Sequence, residues 1–453
     1  MSDKPGTRAG VSRRAVIGGM AAVAASVASG ESYAAGDGGG LGTAEKPISI
    51  RMIANDAFSK LWQTTLVPEF NKHYPHIHVT IDGVPYAQQL TKTLLDLTGA
   101  NPSYDAICTD DPWTPALAAA GTLLDIKKVG AAWTAPDFDW DDFYKAPLAA
   151  SEWKGVQYGV PIRSNMLLMF YNRRHYRKAG LPDPTPQLTW AQYMAQAPKL
   201  VQDLDGSGKT NAWAIGTYFG RDQLTPTIWQ AILNASGGKL LDSKNKAAFN
   251  TKTGVQTLQT FVDLLKYAPP GAKSYTFNEE LQAFRQNQLA TMFMWGSVFR
   301  GTAVDPKSTR LTPADVGIQV MPVGSKSAGT HRGIWCGVVS KRTKYPAAAW
   351  RFVQWISSKQ GEQFASATIG SFPARKSTIK GKPPEAWLQP VFDALGQAYE
   401  VAEQGEMWRP RLAKSDAVQQ VLADEVALAT AGDHTPAEAL KRAEERINKM
   451  RLS

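Results

Sequence analysis

The chain has 453 residues, of which 43% are hydrophobic and 20% are charged, and this composition is that of an ordinary globular protein. Its formal net charge is +10, but the basic residues are scattered and form no Lys/Arg block. Nucleic acid is therefore excluded as an expected partner. The length permits two or three folding units of about 100–200 residues each.

The N-terminus has the features of an export signal. Arg13 and Arg14 directly precede the apolar run 16–28, and small residues follow at 32–34. Paired arginines before a short apolar run predict a twin-arginine signal peptide over residues 1–35, and a Gly-rich linker follows over 36–45. The apolar run is too short to cross a bilayer, and no Cys follows it as a lipid attachment point. We therefore expect a soluble, periplasmic mature protein.

From residue 48 onward, short β-branched runs alternate with longer amphipathic stretches. Strands are expected at 48–53, 77–81 and 104–108, and helices at 58–74, 86–97 and 114–120. This order predicts a parallel sheet flanked by helices, and such sheets bind ligands at the carboxyl ends of their strands. That rule selects the residues that follow the strands, namely Asp56, Asp110, Asp111 and Trp113.

The rest of the chain continues the mixed α/β pattern. An apolar run covers 166–171, and further strands are expected at 289–295, 316–321 and 334–340. Further helices are expected at 248–267, 278–286, 346–355 and 359–365, and in the C-terminal region from 384.

Several motifs follow one another in an order known from one protein family. They include Trp-Lys-Gly-Val-Gln-Tyr-Gly-Val-Pro at 153–161, Met-Phe-Tyr-Asn at 169–172, Ala-Thr-Met-Phe-Met at 290–294 and Phe-Pro-Ala-Arg-Lys-Ser at 372–377. Together they make the chain resemble the family 1 extracellular solute-binding proteins of ABC importers, a group that includes the maltodextrin-binding proteins. The resemblance covers nearly all of the mature chain.

The resemblance implies a two-lobed α/β fold of the periplasmic-binding-protein type (type II-like), with a ligand cleft between lobes joined by hinge crossings. Lobe one would comprise 46–157 with 338–372, and lobe two 158–337 with 373–453. Hinges are expected near 157–159, 336–337 and 372–373. The implied function is to close around a mono- or oligosaccharide and deliver it to the permease subunits of an ABC importer. A monomer without cofactor or metal is expected.

A sugar needs aromatic platforms for its C–H faces and directed polar groups for its hydroxyls. The candidate platforms are Trp113, Trp295, Trp335 and Trp408, with core packing as the alternative for each. The candidate polar and backbone contacts are Asp56, Tyr86, Asp110, Asp111, Asn165 and Gly296. Helix capping is the alternative for Asp111. By the resemblance, Asn165 replaces a ligand-contacting carboxylate of the maltodextrin-binding members.

Four arginines raise the question of an anionic sugar. They are Arg163, Arg375, Arg409 and Arg411. Because guanidinium groups bind carboxylates bidentately, two of them facing the ligand would make an acidic sugar plausible. Surface salt bridging is the alternative, above all for Arg411.

Two further alternatives concern catalysis and the cysteines. The adjacent Asp110 and Asp111 admit an exported carbohydrate-active enzyme, although neighbouring residues seldom flank a scissile bond from both sides. Cys108 and Cys336 form either a disulfide or two buried thiols, since each lies in an apolar run.

Overall fold

A computed structural model describes residues 40–405 and 407–452. The predicted signal peptide at 1–35 and the start of the predicted linker lie outside this range. The strands of the described residues are β1 (Ile48–Asn55), β2 (Ile77–Val84), β3 (Ala106–Asp110), β4 (Glu152–Trp153), β5 (Val156–Gln157), β6 (Gly159–Arg163), β7 (Leu167–Asn172), β8 (Trp213–Gly216), β9 (Leu289–Trp295), β10 (Val316–Gln319), β11 (Met321–Val323), β12 (Ala328–Gly329) and β13 (Trp335–Val339).

The α-helices have the following bounds: α1 (Asp56–His73), α2 (Tyr86–Thr98), α3 (Thr114–Ala119), α4 (Lys145–Leu148), α5 (Arg173–Lys178), α6 (Trp190–Gln196), α7 (Thr225–Ala235), α8 (Lys252–Asp263), α9 (Phe277–Arg285), α10 (Pro346–Ile356), α11 (Lys359–Ile369), α12 (Lys376–Ile379), α13 (Gln389–Glu403), α14 (Ser415–Ala431) and α15 (Pro436–Asn448). None of the helices in the described part of the chain combines the length and apolar character needed to span a membrane.

The first sheet has five strands in the order β2-β1-β3-β13-β6. Strands β1, β2 and β3 are parallel, as the alternation of strands and helices predicts. The sheet also contains a strand outside that prediction, because β13 runs antiparallel to both β3 and β6. This strand returns from the later half of the chain, so local alternation carries no information about its direction.

The second sheet has four strands in the order β10-β7-β9-β8. Strand β7 pairs antiparallel with β9 and β10, whereas β8 and β9 are parallel. Every residue of β7 and β9 is buried, which matches their continuous apolar sequences.

Two hydrophobic clusters form the core. Trp62, Phe70 and Trp355 are buried in the cluster around the first sheet. Phe170 and Trp229 belong to a second cluster, which surrounds the second sheet and continues onto one face of the first. The two separate sheets, with a cleft between them, give the two-lobed α/β architecture.

The chain passes between the sheets at 164–166 and at 330–334, beside the close pairing of β6 with β13. A Cβ on Gly159 would lie 2.0 Å from the carbonyl oxygen of Gly337, so only glycine permits this approach. The predicted lobe boundaries at 157/158 and 337/338 would remove β6 from the first sheet and divide β13. The sheet pairing instead places both whole strands in the first lobe.

Both cysteines are free and buried. They lie on the adjacent strands β3 and β13, where Cys336 is in register with Thr109 rather than with Cys108. Because side chains alternate between the faces of a sheet, the two sulfur atoms point to opposite sides. The two-thiol alternative is therefore the one that the structure contains.

Candidate ligand-binding cleft

A cavity of about 720 Å³ lies where the carboxyl ends of the first-sheet strands meet the second lobe. The main side chains on the first-sheet wall are Asn55, Phe58, Tyr86, Asp110, Trp113, Arg163 and Trp335. The facing residues include Asn165, Gln223, Phe277, Trp295, Ser297, Arg409, Asp416 and Gln420. The rule that ligands bind at the carboxyl ends of parallel strands thus locates this cavity.

Aromatic rings form much of the first-sheet wall. The ring centroids of Tyr86 and Trp113 are 4.7 Å apart, and Trp335 meets Trp113 edge-on at 5.8 Å. Phe58 extends this surface, with its ring centroid 5.1 Å from that of Trp335. On the other wall, Trp295 presents a further indole. The cavity therefore offers flat apolar surfaces from both lobes.

Asp110 takes part in a buried ion-pair cluster at the base of this wall. Its two carboxylate oxygens accept hydrogen bonds of 2.8 Å each from Nη1 and Nη2 of Arg409, in a bidentate arrangement. Tyr86 also donates a hydrogen bond to Asp110, at 2.8 Å. A second carboxylate, that of Asp111, accepts from the same guanidinium. The strongest hydrogen-bonding capacity of Asp110 is thus already used within the protein.

Burial controls the electrostatics of this cluster. It raises the pKa of Asp111 to about 6, although Arg409 opposes the shift. It also raises the pKa of Tyr86 well above its usual range, and the neighbouring Asp110 adds to that effect. Tyr86 therefore stays a neutral hydrogen-bond donor.

Arg163 has different surroundings. It ends β6, lines the cavity and lies over the ring of Phe58, with its guanidinium carbon 5.1 Å from the ring centroid. Among the described residues, no hydrogen-bond or ion-pair partner of this guanidinium is found. Burial lowers its pKa to about 10, so it remains a cation at neutral pH.

One side-chain pair orders the facing wall, and another joins the two walls. Asn165 donates to Ser297 Oγ at 2.9 Å and accepts from the Ser297 backbone N–H at 3.1 Å. Trp113 Nε1 donates to Asp416 Oδ1 at 3.3 Å, which joins the first sheet to the first turn of α14.

Seven predicted site residues line the cavity, namely Tyr86, Asp110, Trp113, Arg163, Asn165, Trp295 and Trp335. Their contact with a ligand stays a prediction. Two other predicted residues lie next to the cavity but do not line it. Asp56 is exposed because β1 extends to Asn55, which caps α1 by accepting from the Ala57 N–H. Asp111 is buried beneath the wall, bound to Arg409.

Two further predicted residues have structural roles instead. A Cβ at Gly296 would meet Phe372 and Leu168, so this glycine permits close packing. The guanidinium of Arg375 is buried and donates to the carbonyl oxygens of Ser357 and Asp139.

Trp408 lies outside the cleft, in a separate cavity of about 350 Å³. Its ring centroid is 3.7 Å from the guanidinium carbon of Arg332 and 4.4 Å from that of Arg411. The sequence gives no indication of these contacts, because the three residues come together only in the fold.

Sequence reasoning missed several lining residues. Asn55 and Phe58 flank the end of β1, where the strand-end rule could have found them. Asp416 carries a weaker signal, as an acidic residue in the first turn of a helix. Gln223 and Gln420 carry none, since polar residues of this kind are common on exposed surfaces.

Comparisons with known proteins agree with this geometry. A probable amino-acid ABC transporter periplasmic-binding protein, y4oP of Sinorhizobium fredii, is 27% identical over 373 residues, which are 80% of each chain. The arabinooligosaccharide-binding protein of Bacillus subtilis is 24% identical over 321 residues, 68% of this chain and 69% of that protein.

Solved structures show the same architecture. A solute-binding protein from Agrobacterium radiobacter K84, in complex with ribitol, superimposes with a TM-score of 0.75 at 27% identity, covering 89% of this chain and 100% of that one. The family model of bacterial extracellular solute-binding proteins matches residues 55–363. This chain therefore belongs to the bacterial extracellular solute-binding protein family.

Proposed function

We propose that the protein is the substrate-binding component of an ABC importer and that it binds a neutral polyol or small carbohydrate in the cleft. The observation that carries this proposal is a cavity with indole rings from both lobes and formally balanced charge. Three arginines and three aspartates line it: Arg163, Arg221, Arg409, Asp110, Asp222 and Asp416. Aromatic faces and balanced hydrogen-bonding groups suit a ligand with C–H faces and neutral hydroxyls.

The balance of positive and negative charges in the cavity argues against the hypothesis of an anionic sugar. That hypothesis needs two of the four candidate guanidinium groups to face the ligand. Arg375 and Arg411 donate to backbone carbonyl groups away from this cavity, and Arg409 is bound by two carboxylates. Arg163 is the one of the four that lines the cavity without a partner among the described residues. A neutral ligand therefore fits better than an acidic one.

Export and delivery complete the proposal. The twin-arginine signal at Arg13 and Arg14 would direct the chain to the periplasm, where a monomer would pass its ligand to the permease subunits. Fusing residues 1–45 to a reporter active only outside the cytoplasm tests this step. We expect export that is lost when both arginines are replaced by lysine. Export that survives this change would contradict a twin-arginine route.

Ligand class can be tested by isothermal titration calorimetry of the mature protein. The panel contains ribitol, D-mannitol, arabinotriose and a set of L-amino acids, which represent the ligand classes of the relatives. We expect saturable one-to-one binding of a polyol or sugar and none of amino acids. Binding of amino acids alone would reject the proposed ligand class.

The competing function is an exported carbohydrate-active enzyme. Its best candidates, Asp110 and Asp111, both bind the guanidinium of Arg409 rather than flanking an open space where a bond could be cleaved. Prolonged incubation with arabinotriose separates the two functions. Recovery of intact ligand at one equivalent per protein supports a carrier, whereas accumulation of shorter sugars supports an enzyme.

A further inference from the structure

The charged groups of the cavity differ in how far the protein itself satisfies them. Arg409 and Asp110 bind each other, and Arg221 pairs with Asp424 at 2.7 Å. Asp222 stands before the start of α7, where its Oδ1 accepts from the Leu224 N–H and its Oδ2 accepts none from the described residues. The remaining charged groups are Arg163, which has no partner among the described residues, and Asp416, which accepts from Trp113 through Oδ1 only.

Arg163 is placed to donate into the cavity. The ring of Phe58 lies against its guanidinium, and backbone pairing of Arg163 with Trp335 fixes the end of β6. Arg163 is half-buried, and a cation with five N–H donors beside a cavity favours a site where acceptors are supplied. Within the described part of the chain the protein supplies none, so a bound ligand is the natural source.

Asp416 has the complementary chemistry. Its carboxylate accepts hydrogen bonds only, and Oδ2 accepts none from the described residues. The residue stands in the first turn of α14, which packs against α7 on the second-lobe side of the cavity. A hydroxyl group can meet both requirements, because its oxygen accepts from Arg163 and its proton can be donated to Asp416.

We propose that Arg163 is the specificity-determining residue of the cleft, donating two parallel N–H groups to adjacent hydroxyl oxygens of a neutral polyol while Asp416 accepts from another hydroxyl of the same molecule. This inference rests on the proposed function. The planar fork of a guanidinium matches two neighbouring oxygens, as it does in carboxylates. A carboxylate ligand would instead bring a third negative charge close to Asp416 and Asp222.

The test compares Arg163→Gln and Asp416→Asn with the wild-type mature protein. The probes are ribitol and its carboxylate analogue D-ribonate, or arabinotriose where ribitol does not bind the wild type. We expect wild-type protein to prefer the neutral probe. R163Q should weaken binding of the neutral probe about ten- to a hundredfold, because the variant loses charged hydrogen bonds to the ligand. D416N should weaken it by about tenfold and strengthen D-ribonate binding.

Thermal unfolding without ligand separates a ligand-binding role from a structural one. R163Q should unfold close to the wild-type temperature, because the substitution removes no hydrogen bond or ion pair between described residues and only the contact with the Phe58 ring. The matched control is Arg173→Gln, whose arginine donates to Asp183 and to the carbonyl of Val316. It should lower the unfolding temperature and leave the Kd unchanged.

Three outcomes would count against these proposals, and they are distinguishable. Wild-type protein that binds no polyol or sugar overturns the proposed function together with this inference. Wild-type protein that binds the neutral probe, with an R163Q variant within twofold of it, overturns the inference alone. A wild-type preference for D-ribonate also overturns the inference, because it makes Arg163 a carboxylate site.

Discussion

Arg409 and Arg163 line the same cavity, but the protein treats the two guanidinium groups in opposite ways. Arg409 is surrounded by acceptors from Asp110, Asp111 and Tyr86, and is 4% exposed. Arg163 rests on an aromatic ring and has no such acceptor among the described residues. A buried charge that is paired with carboxylates stabilises the fold, whereas a half-buried charge left unpaired beside a cavity is available to a ligand. Residue type alone therefore does not show whether an arginine stabilises the fold or binds a ligand.

The largest effect is expected from breaking the paired arginine. Arg409→Gln would leave two buried carboxylates without their cation, which costs about 3–5 kcal/mol in the free energy of unfolding. Urea denaturation at pH 7.5 measures this change in the free energy of unfolding. The triple variant R409Q/D110N/D111N should recover much of the loss, because no buried charge then remains. An R409Q variant as stable as wild type would mean that the cluster is not an ion pair in solution.

A second, smaller effect concerns the pH dependence of the same cluster. Because the pKa of Asp111 is raised to about 6, its stabilising contribution is complete below its unfolded-state pKa near 4 and is lost as pH rises through 6. Its Oδ2 lacks a hydrogen-bond partner in the structure, which agrees with a disfavoured anion. Asp111→Asn cannot titrate. Its unfolding free energy minus that of wild type should therefore rise between pH 4 and pH 7, by up to about 3 kcal/mol.

Parallel denaturation series at pH 4, 5, 6 and 7 measure this difference, in which titrations elsewhere in the chain cancel. A difference that stays flat across the series would show that Asp111 is ionised throughout. The matched control is Asp125→Asn. This aspartate caps a turn by accepting from the Lys128 N–H, far from Arg409.

Two tryptophans allow the same comparison for aromatic side chains, since one lines the cleft and the other does not. Trp295 faces the cleft, whereas Trp408 lies between Arg332 and Arg411 in the separate cavity. Trp295→Leu should raise the Kd for ribitol about tenfold to fiftyfold, since a ligand loses an aromatic face worth roughly 1.5–2.3 kcal/mol. Trp408→Leu should leave the Kd within twofold. Calorimetry decides between them, because both variants lose stability. Equal Kd values would show that Trp295 does not contact the ligand.

The sequence predicts those parts of the site whose residues lie close together along the chain. The β1–α1–β2–α2–β3 order places Trp113 and Asp110 at strand ends from local pattern alone. The partner of Asp110 is Arg409, 299 residues away, and no periodicity connects the two. Asp110 lines the cavity, and its contact with a ligand stays a prediction, but the sequence does not show that its carboxylate already binds Arg409.

The same reasoning explains why one predicted residue was displaced by one position and why another lining residue was missed. The predicted site residue Asp56 and the observed Asn55 differ by one place, which is the uncertainty of a strand end read from sequence. Asp416 was missed because its place in the cleft depends on how α14 packs against the second lobe. Local rules locate the edge of a sheet, but only the tertiary structure shows which charges meet there.

The smallest expected effect tests the contact between the walls themselves. Trp113→Phe keeps an aromatic face but removes the hydrogen bond from Nε1 to Asp416. A net hydrogen bond of about 1 kcal/mol predicts a fivefold rise in the Kd for ribitol. Trp335→Phe is the matched control, because it shortens another ring of the cavity without removing a hydrogen bond between described residues. A W113F variant that weakens binding no more than W335F does would show that the Trp113–Asp416 hydrogen bond does not orient the Asp416 carboxylate toward the ligand. The position of Asp416 in its helix would then be sufficient to orient it.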